Sequence, residues 1–269
     1  MQNISVVICG CTKNSGSYIF QHLLTLSKLG KLFQKYKLVI YENDSTDNTV
    51  VELQRFKKHC AHFTYLTERG IDLQYRGERV PIICHGRNKL LETVFQKYGG
   101  YDRMIMMDLD NVMTSFEPLG FVKAIAQYEH VNWAGLTANC KGPYYDIWAL
   151  RMPDSLWASE IHGLLWEKPL DHDCWNERID GIPRNVLVQR YQVCIPEMFP
   201  LIPTVSSFGG LGIYKLAAIR GCSYNAIDDG VIRCEHVDFH RQICAKGGKL
   251  FLCPAILMDC PTDHIQRPA

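Results

Sequence analysis

The sequence has no uninterrupted run of about 18 apolar residues, so it predicts no membrane-spanning helix. Ile4 to Cys11 is apolar, but Lys13 and Asn14 follow at once and no basic region precedes it. That is too short for a secretory leader and reads as a buried first strand. Charge of one sign is also lacking. The 29 Lys and Arg against 28 Asp and Glu leave a net charge of +1, which supplies no whole-protein attraction to nucleic acid or to an anionic membrane. Cysteine is plentiful, at 12 residues, yet scattered. There is no CxxC pair and no zinc-ribbon spacing, only Cys9-x-Cys11. Together with the missing leader, this predicts reduced, mostly buried thiols in a soluble cytoplasmic protein, at most peripheral to a membrane. There is no internal repeat and no low-complexity stretch. What is there is 269 residues, 47% hydrophobic and 21% charged. That composition excludes a disordered tail, a collagen and a disulfide-stapled miniprotein, and it is enough for one large core.

Ser5–Cys11 is a continuous β-branched run ended by Thr12-Lys13-Asn14 and reads as a central parallel strand. Tyr18–Leu29 has Ile19, Phe20, Leu23, Leu24 and Leu26 at helical spacing. Lys37–Tyr41 reads as a second strand, and Ser45 as the N-cap of a helix through Phe56. His62–Leu66 reads as a third strand, Asn88–Tyr98 as a helix and Asp102–Met107 as a further buried strand. The β-α-β-α order predicts an α/β fold with a mainly parallel, Rossmann-like sheet flanked by helices. Residues 139–205 hold four of the five tryptophans and read as an irregular insertion packed on the sheet. Regular structure is expected again at Ser206–Tyr214, at a helix over Glu235–Ala245 and at a strand over Lys249–Cys253.

Sheets of this kind bind ligands at the carboxyl ends of their strands. Three polar clusters are predicted there: Thr12-Lys13-Asn14, Glu42-Asn43-Asp44 and Asp108-Leu109-Asp110. Alternate carboxylates where a strand bends outward suit a hard divalent cation that keeps open positions for phosphate oxygens. Glu42 and Asn43 are candidates to hydrogen-bond a base or ribose, while Ser45 and Asp47 read as structural. Gly86-Arg87-Asn88 is expected to open a helix, and an arginine at a helix N-terminus suits a diphosphate. Gly209-Gly210-Leu211-Gly212 lacks the following GK[ST] of a P-loop and reads as a close backbone approach to a ligand or a tight turn. In Cys234–His240, Glu235, Asp238 and His236 are suited to deprotonating or orienting an acceptor hydroxyl. Tyr144-Tyr145-Asp146-Ile147-Trp148 mixes aromatic faces with a carboxylate and suits a sugar. Trp157, Trp166 and Trp175 read as packing within the insertion. His264 is a candidate remote third metal ligand.

The order of these motifs resembles a GT-A-type glycosyltransferase. GRNKLLE, the strand into DLDNV, GPYYDIWALR and CEHVDFH are similar to the fungal capsule-associated α-mannosyltransferase family and its soluble relatives, over about residues 5 to 253. The resemblance implies one GT-A domain over 1–269, with a nucleotide-sugar half to about residue 115 and an acceptor-side half beyond. It implies a UDP- or GDP-sugar donor, a Mn²⁺ or Mg²⁺ ion and a glycan or glycoconjugate acceptor. Carried onto these positions, Thr12, Asn14, Glu42, Asn43, Arg87, Asp108, Gly209 and Gly210 would bind donor. Asp108, Asp110 and His264 would hold metal. Tyr145, Trp148 and His236 would bind acceptor, and Glu235, Asp238 and Asp146 would serve the reacting hydroxyl. The mannosyltransferase likeness favours retention of configuration, whereas a base at Glu235 or Asp238 would invert it. The rival enzyme, a sugar-phosphate nucleotidyltransferase, wants a glycine-rich basic loop after the first strand, and Gly10-Cys11-Thr12-Lys13-Asn14 is poor in glycine. A non-catalytic sugar-binding homologue is opposed by the intact Asp108, Asp110 and Glu235.

Overall fold

A computed structural model describes every residue except 2, 154–162, 167–169, 178, 229, 262–264 and 266–269. The chain begins with β1 (Ser5–Thr12), α1 (Ile19–Gly30), β2 (Lys35–Asn43), α2 (Thr49–His59), β3 (Phe63–Glu68), the one-turn α3 (Ile71–Gln74), α4 (Arg79–Tyr98) and β4 (Arg103–Met107). It continues through α5 (Pro118–Gln127), β5 (Gly135–Cys140), the short α6 (Arg184–Gln189), β6 (Ile202–Thr204) and β7 (Leu211–Lys215). A small hairpin of β8 (Ile227–Asp228) and β9 (Val231–Ile232) precedes α7 (Glu235–Ala245) and β10 (Leu250–Met258).

Eight strands form one sheet in the order β3-β2-β1-β4-β7-β5-β10-β6. β1 pairs in parallel with both β2 and β4, and β2 with β3. β7 runs antiparallel between β4 and β5, so its amino end lies at the edge where β1, β2 and β4 have their carboxyl ends. The mainly parallel α/β sheet expected from the sequence is the one present. It takes in strands from both sides of residue 115.

Strand periodicity divides the core. Val6 and Ile8 of β1, with Ile105 and Met107 of β4, pack on one face with α1, α2 and α5. Val7, Cys9, Met104 and Met106 point to the other face, against Leu90, Leu91 and Val94 of α4 and Phe239 and Ile243 of α7. A third core, with Tyr144, Ile147, Leu150, Trp166 and Leu170, joins the irregular segment to Leu252 and Ile202. The insertion boundaries need correction, since β5 continues to Cys140 and β6 already belongs to the sheet.

Two element boundaries also differ from expectation in ways that matter. The helix through Arg87 starts at Arg79, not at Asn88. Pro81 lies in its first turn, where the missing N–H has no intrahelical partner to lose. Gly86 is retained within the helix because a Cβ there would come within 2.6 Å of the Tyr41 ring. The second difference is at α2. Ser45 does not cap it; Asp47 instead accepts from the Thr49 N–H at 2.9 Å and from Gly16 N–H at 2.9 Å.

Candidate active site

A cleft lies along the carboxyl edge of β1, β2 and β4 and is divided into two adjoining chambers. The first, of about 360 Å³, is lined by Thr12, Lys13, Tyr18, Tyr41, Asn43 and Asp108 to Asp110, with Arg79 and Arg87 from α4. The second, of about 560 Å³, is lined by Tyr145, Asp146, Trp148, Asp173, Trp175 and Arg184, with Phe208, Glu235 and His236 opposite. Arg79, Ile83, Arg87, Asp108 and Asp110 line both. The two aspartates following β4 therefore stand at the junction.

Arg87 organises that junction. It lies inside α4, so the expected helix N-terminus at Gly86–Asn88 is absent and the residue acts through its side chain alone. One terminal nitrogen donates to Asp108 Oδ1 at 2.8 Å. The other donates to Glu235 Oε1 and meets His236 Nε2 at 2.6 Å. The guanidinium also lies over the rings of Phe208, at 5.0 Å, and Tyr224, at 5.7 Å. Burial by itself would loosen its proton; the Asp108 charge, together with Tyr224, Cys11 and Cys234, outweighs this and holds Arg87 above its ordinary pKa. A guanidinium only donates, so His236 Nε2 accepts and its single proton sits on Nδ1. Burial, followed by the Arg87 and His240 charges, keeps that imidazole well below the usual histidine pKa. His236 Nδ1 is buried and has no hydrogen-bond partner among the described residues.

The carboxylates fall into distinct environments. Asp108 is pushed above the usual aspartate range by burial, and Asp110 adds like-charge repulsion against the pull of Arg87. Its backbone N–H donates to Gly210 O at 2.9 Å. Asp110 Oδ1 accepts from Val112 N–H at 3.2 Å, turning the chain into a short 3-10 turn. Asp146 accepts from Gly209 N–H at 2.8 Å and is raised by burial to about 7. Glu235 is buried and committed to Arg87.

Several expected ligand residues are placed elsewhere. Glu42 is fully buried and is engaged by Ser45 N–H at 2.8 Å, Arg69 at 2.9 Å and the Thr67 hydroxyl. Burial raises its pKa, but these donors outweigh it and hold Glu42 below the ordinary glutamate value. Asn14, at φ 49°, uses its side-chain oxygen to accept from Thr46 N–H at 2.8 Å, locking two strand-end loops together. Neither residue lines a chamber. Gly209 and Gly210, at φ 64° and 86°, do make a tight approach, but to the chain itself. A Cβ on Gly209 would lie 2.3 Å from Ala138 O. Asp238 is tied to Gln242 at 2.8 Å and lines a separate small hollow with Arg233 and Arg241, away from Glu235. His264 lies outside the described residues, as does Trp157.

The structure brings Thr12, Asn43, Arg87, Asp108 and Asp110 into the first chamber, and Tyr145, Asp146, Trp148, Glu235 and His236 into the second. It adds residues that sequence reasoning passed over. Arg79 lies near enough to Asp108 to pull its pKa down, yet it precedes Pro81 in a segment without a readable pattern. Trp166 is buried as expected, whereas Trp175 lines the second chamber.

No family model and no curated protein matches the chain. Solved structures do resemble its fold. The mannosyltransferase PcManGT from Pyrobaculum calidifontis, in complex with GDP-Man and Mn²⁺, aligns with a TM-score of 0.55 at 13% identity, over 98% of this chain and 59% of that one. Residues 1–349 of TarS from S. aureus, in complex with UDP-GlcNAc, align with a TM-score of 0.50 at 12% identity, over 99% and 62% of the respective chains. The chain thus spans about three fifths of the length of each. The fold is the GT-A glycosyltransferase fold, a large mostly parallel sheet with flanking helices. Among the described residues, no helix is long and apolar enough to cross a membrane.

Proposed function

We propose that the protein is a metal-dependent glycosyltransferase that moves a hexose or pentose from a UDP- or GDP-sugar to a hydroxyl of a glycan or glycoconjugate. One observation carries the reading: Asp108 and Asp110 stand where two chambers meet, one large enough for a nucleoside and one walled by aromatic rings and carboxylates. The donor set fits a hard divalent ion. Burial raises the pKa of Asp108 and the neighbouring Asp110 charge adds to the rise; a cation between the two carboxylates would relieve both. Hard ions are held by one or two carboxylates with phosphate oxygens completing the shell. Mn²⁺ or Mg²⁺ on Asp108 and Asp110 would supply charge stabilisation for the leaving diphosphate.

The chain's own residues do the rest. Thr12 and Asn43 address the nucleoside in the first chamber. Arg79 and Arg87 place preorganised positive charge beside the phosphates. Asp146, Tyr145, Trp148 and His236 hold the sugars in the second. Glu235 holds Arg87 through Oε1 and orients that guanidinium, an ion pair that disfavours proton transfer to the carboxylate. This supports the retaining course implied by the mannosyltransferase likeness, in which a leaving-group oxygen receives the acceptor proton. Asp146 then orients hydroxyls as a hydrogen-bond acceptor. The likeness of GRNKLLE and GPYYDIWALR to the mannosyltransferase family supports a mannosyltransferase-like enzyme. All twelve cysteines are free thiols, which supports a reducing, cytoplasmic setting.

The test is release of nucleoside diphosphate from a panel of UDP- and GDP-sugars, with and without Mn²⁺, alongside calorimetry with UDP and GDP. Metal-dependent release from one donor is expected. Absence of both release and nucleotide binding would overturn the assignment. The anomeric configuration of the product, read by NMR, decides retention.

A further inference from the structure

Asp173 lies at the wall of the second chamber and joins two tryptophans. Its Oδ2 accepts from Trp148 Nε1 at 3.0 Å, and its Oδ1 accepts from Trp175 N–H at 3.0 Å. One carboxylate therefore fixes one indole directly and the other through its backbone, and all three residues line the chamber. Behind them, Trp166, Leu170 and Cys174 are buried in the core of the irregular segment, so the pair stands on a packed base. Indoles present flat apolar faces with few rotatable bonds to immobilise.

The surrounding charges add a second constraint. Arg87 pairs with Asp108 and Glu235, and Arg79 lies near Asp108 on the shared wall. Among the described residues, the chamber lining holds five acidic side chains, Asp108, Asp110, Asp146, Asp173 and Glu235, against three guanidiniums, Arg79, Arg87 and Arg184. An anionic group entering there would meet an excess of carboxylate and lose its hydration. A neutral ring bearing hydroxyls would set its C–H face on an indole and donate hydrogen bonds to the carboxylates.

Resting on the glycosyltransferase reading above, we infer that the Trp148–Asp173–Trp175 clamp is the acceptor subsite and selects an uncharged pyranose over a phosphorylated or carboxylated one. Trp175 is then a specificity-determining residue, and Asp173 a positioning residue acting through the two tryptophans.

The experiment is calorimetry on the full chain with Mn²⁺ and UDP or GDP present, using p-nitrophenyl pyranosides and their 6-phosphates as probes. At least one neutral pyranoside should bind, with its 6-phosphate about tenfold weaker or worse. Trp175→Ala should weaken the pyranoside by about tenfold or more, as loss of an aromatic anchor does, while nucleotide affinity stays within about twofold. Trp175→Phe, which keeps a ring face and the fold, should recover most of the pyranoside affinity, and Asp173→Asn should fall between. Equal or tighter binding of the 6-phosphate would overturn the inference. So would unchanged pyranoside affinity in Trp175→Ala, or nucleotide binding with no pyranoside binding in the wild type. The last of these leaves the glycosyltransferase assignment standing. Loss of nucleotide binding with pyranoside binding retained would instead sink the donor assignment and keep the subsite.

Discussion

Arg87 and Glu235 are separated by 148 positions in sequence and form an ion pair in which both side chains are less than a tenth exposed. The same guanidinium holds Asp108, so α4, β4 and the first turn of α7 are pinned at one point. Breaking a buried pair leaves the other charge uncompensated. Arg87→Ala should therefore destabilise the fold by about 3–5 kcal/mol, and adding Glu235→Gln should recover part of that loss. Urea unfolding of the single and double variants checks it. Strict additivity of the two substitutions would argue that the pair is not coupled.

Asp110 is partly exposed, and its side chain accepts from Val112 N–H at 3.2 Å. Asp110→Ala should cost about 1 kcal/mol of stability, as loss of a cap does. It should also abolish the Mn²⁺-dependent increase in melting temperature given by UDP or GDP. A variant with a full metal-dependent increase would remove Asp110 from the metal site.

Asp146 carries a pH signature. Its folded pKa, about 7, lies above the roughly 3.9 of an unfolded aspartate. The folded state thus binds more protons than the unfolded state between those values, and this group's contribution to stability falls as pH rises from about 4 to 7. The same proton loss creates the acceptor that orients hydroxyls, so transferase activity should rise through pH 7 while stability declines. Asp146→Asn should flatten both profiles. A stability profile between pH 5 and 8 identical to that of the wild type would contradict the assignment.

Glu42 has the opposite sign. Its folded pKa is depressed, so the stability it contributes is present above its unfolded value of about 4.3 and is lost as pH falls through the folded value. Glu42→Gln should reduce stability at neutral pH and narrow the gap to the wild type in acid. Because Glu42 lines neither chamber, nucleotide affinity should fall only as far as the loop over Ser45 and Arg69 loosens. Calorimetry with UDP or GDP would expose any larger loss.

At Gly209, a Cβ would collide with Ala138 O at 2.3 Å, and the backbone lies at φ 64°. Gly209→Ala should cost about 1–3 kcal/mol and loosen the N–H that holds Asp146. Thermal unfolding reads the first effect, and a shifted activity–pH profile the second.

The strands, their order along the chain and the polar clusters at their ends were legible in the sequence because they rest on local rules. An apolar run alternates its side chains between two faces whatever lies beyond it, and a carboxylate pair after such a run must emerge at the sheet's edge. That is why β1, β2, β4 and Asp108–Asp110 lie where the pattern placed them. The division of labour among the polar residues was decided by tertiary structure. Glu42 and Asn14 have the chemistry of ligands, and it was the neighbouring loops, through Thr67, Arg69 and Thr46, that claimed their oxygens. Arg79 and Trp175 carry no local signal, and each enters the cleft only because distant elements pack so as to bring it there. A side chain's hydrogen-bonding capacity is written in its chemistry, whereas which partner it meets depends on long-range packing that no spacing rule encodes. Arg87 shows both halves: its charge is evident from the residue itself, and its three partners, Asp108, Glu235 and His236, exist only in the folded chain.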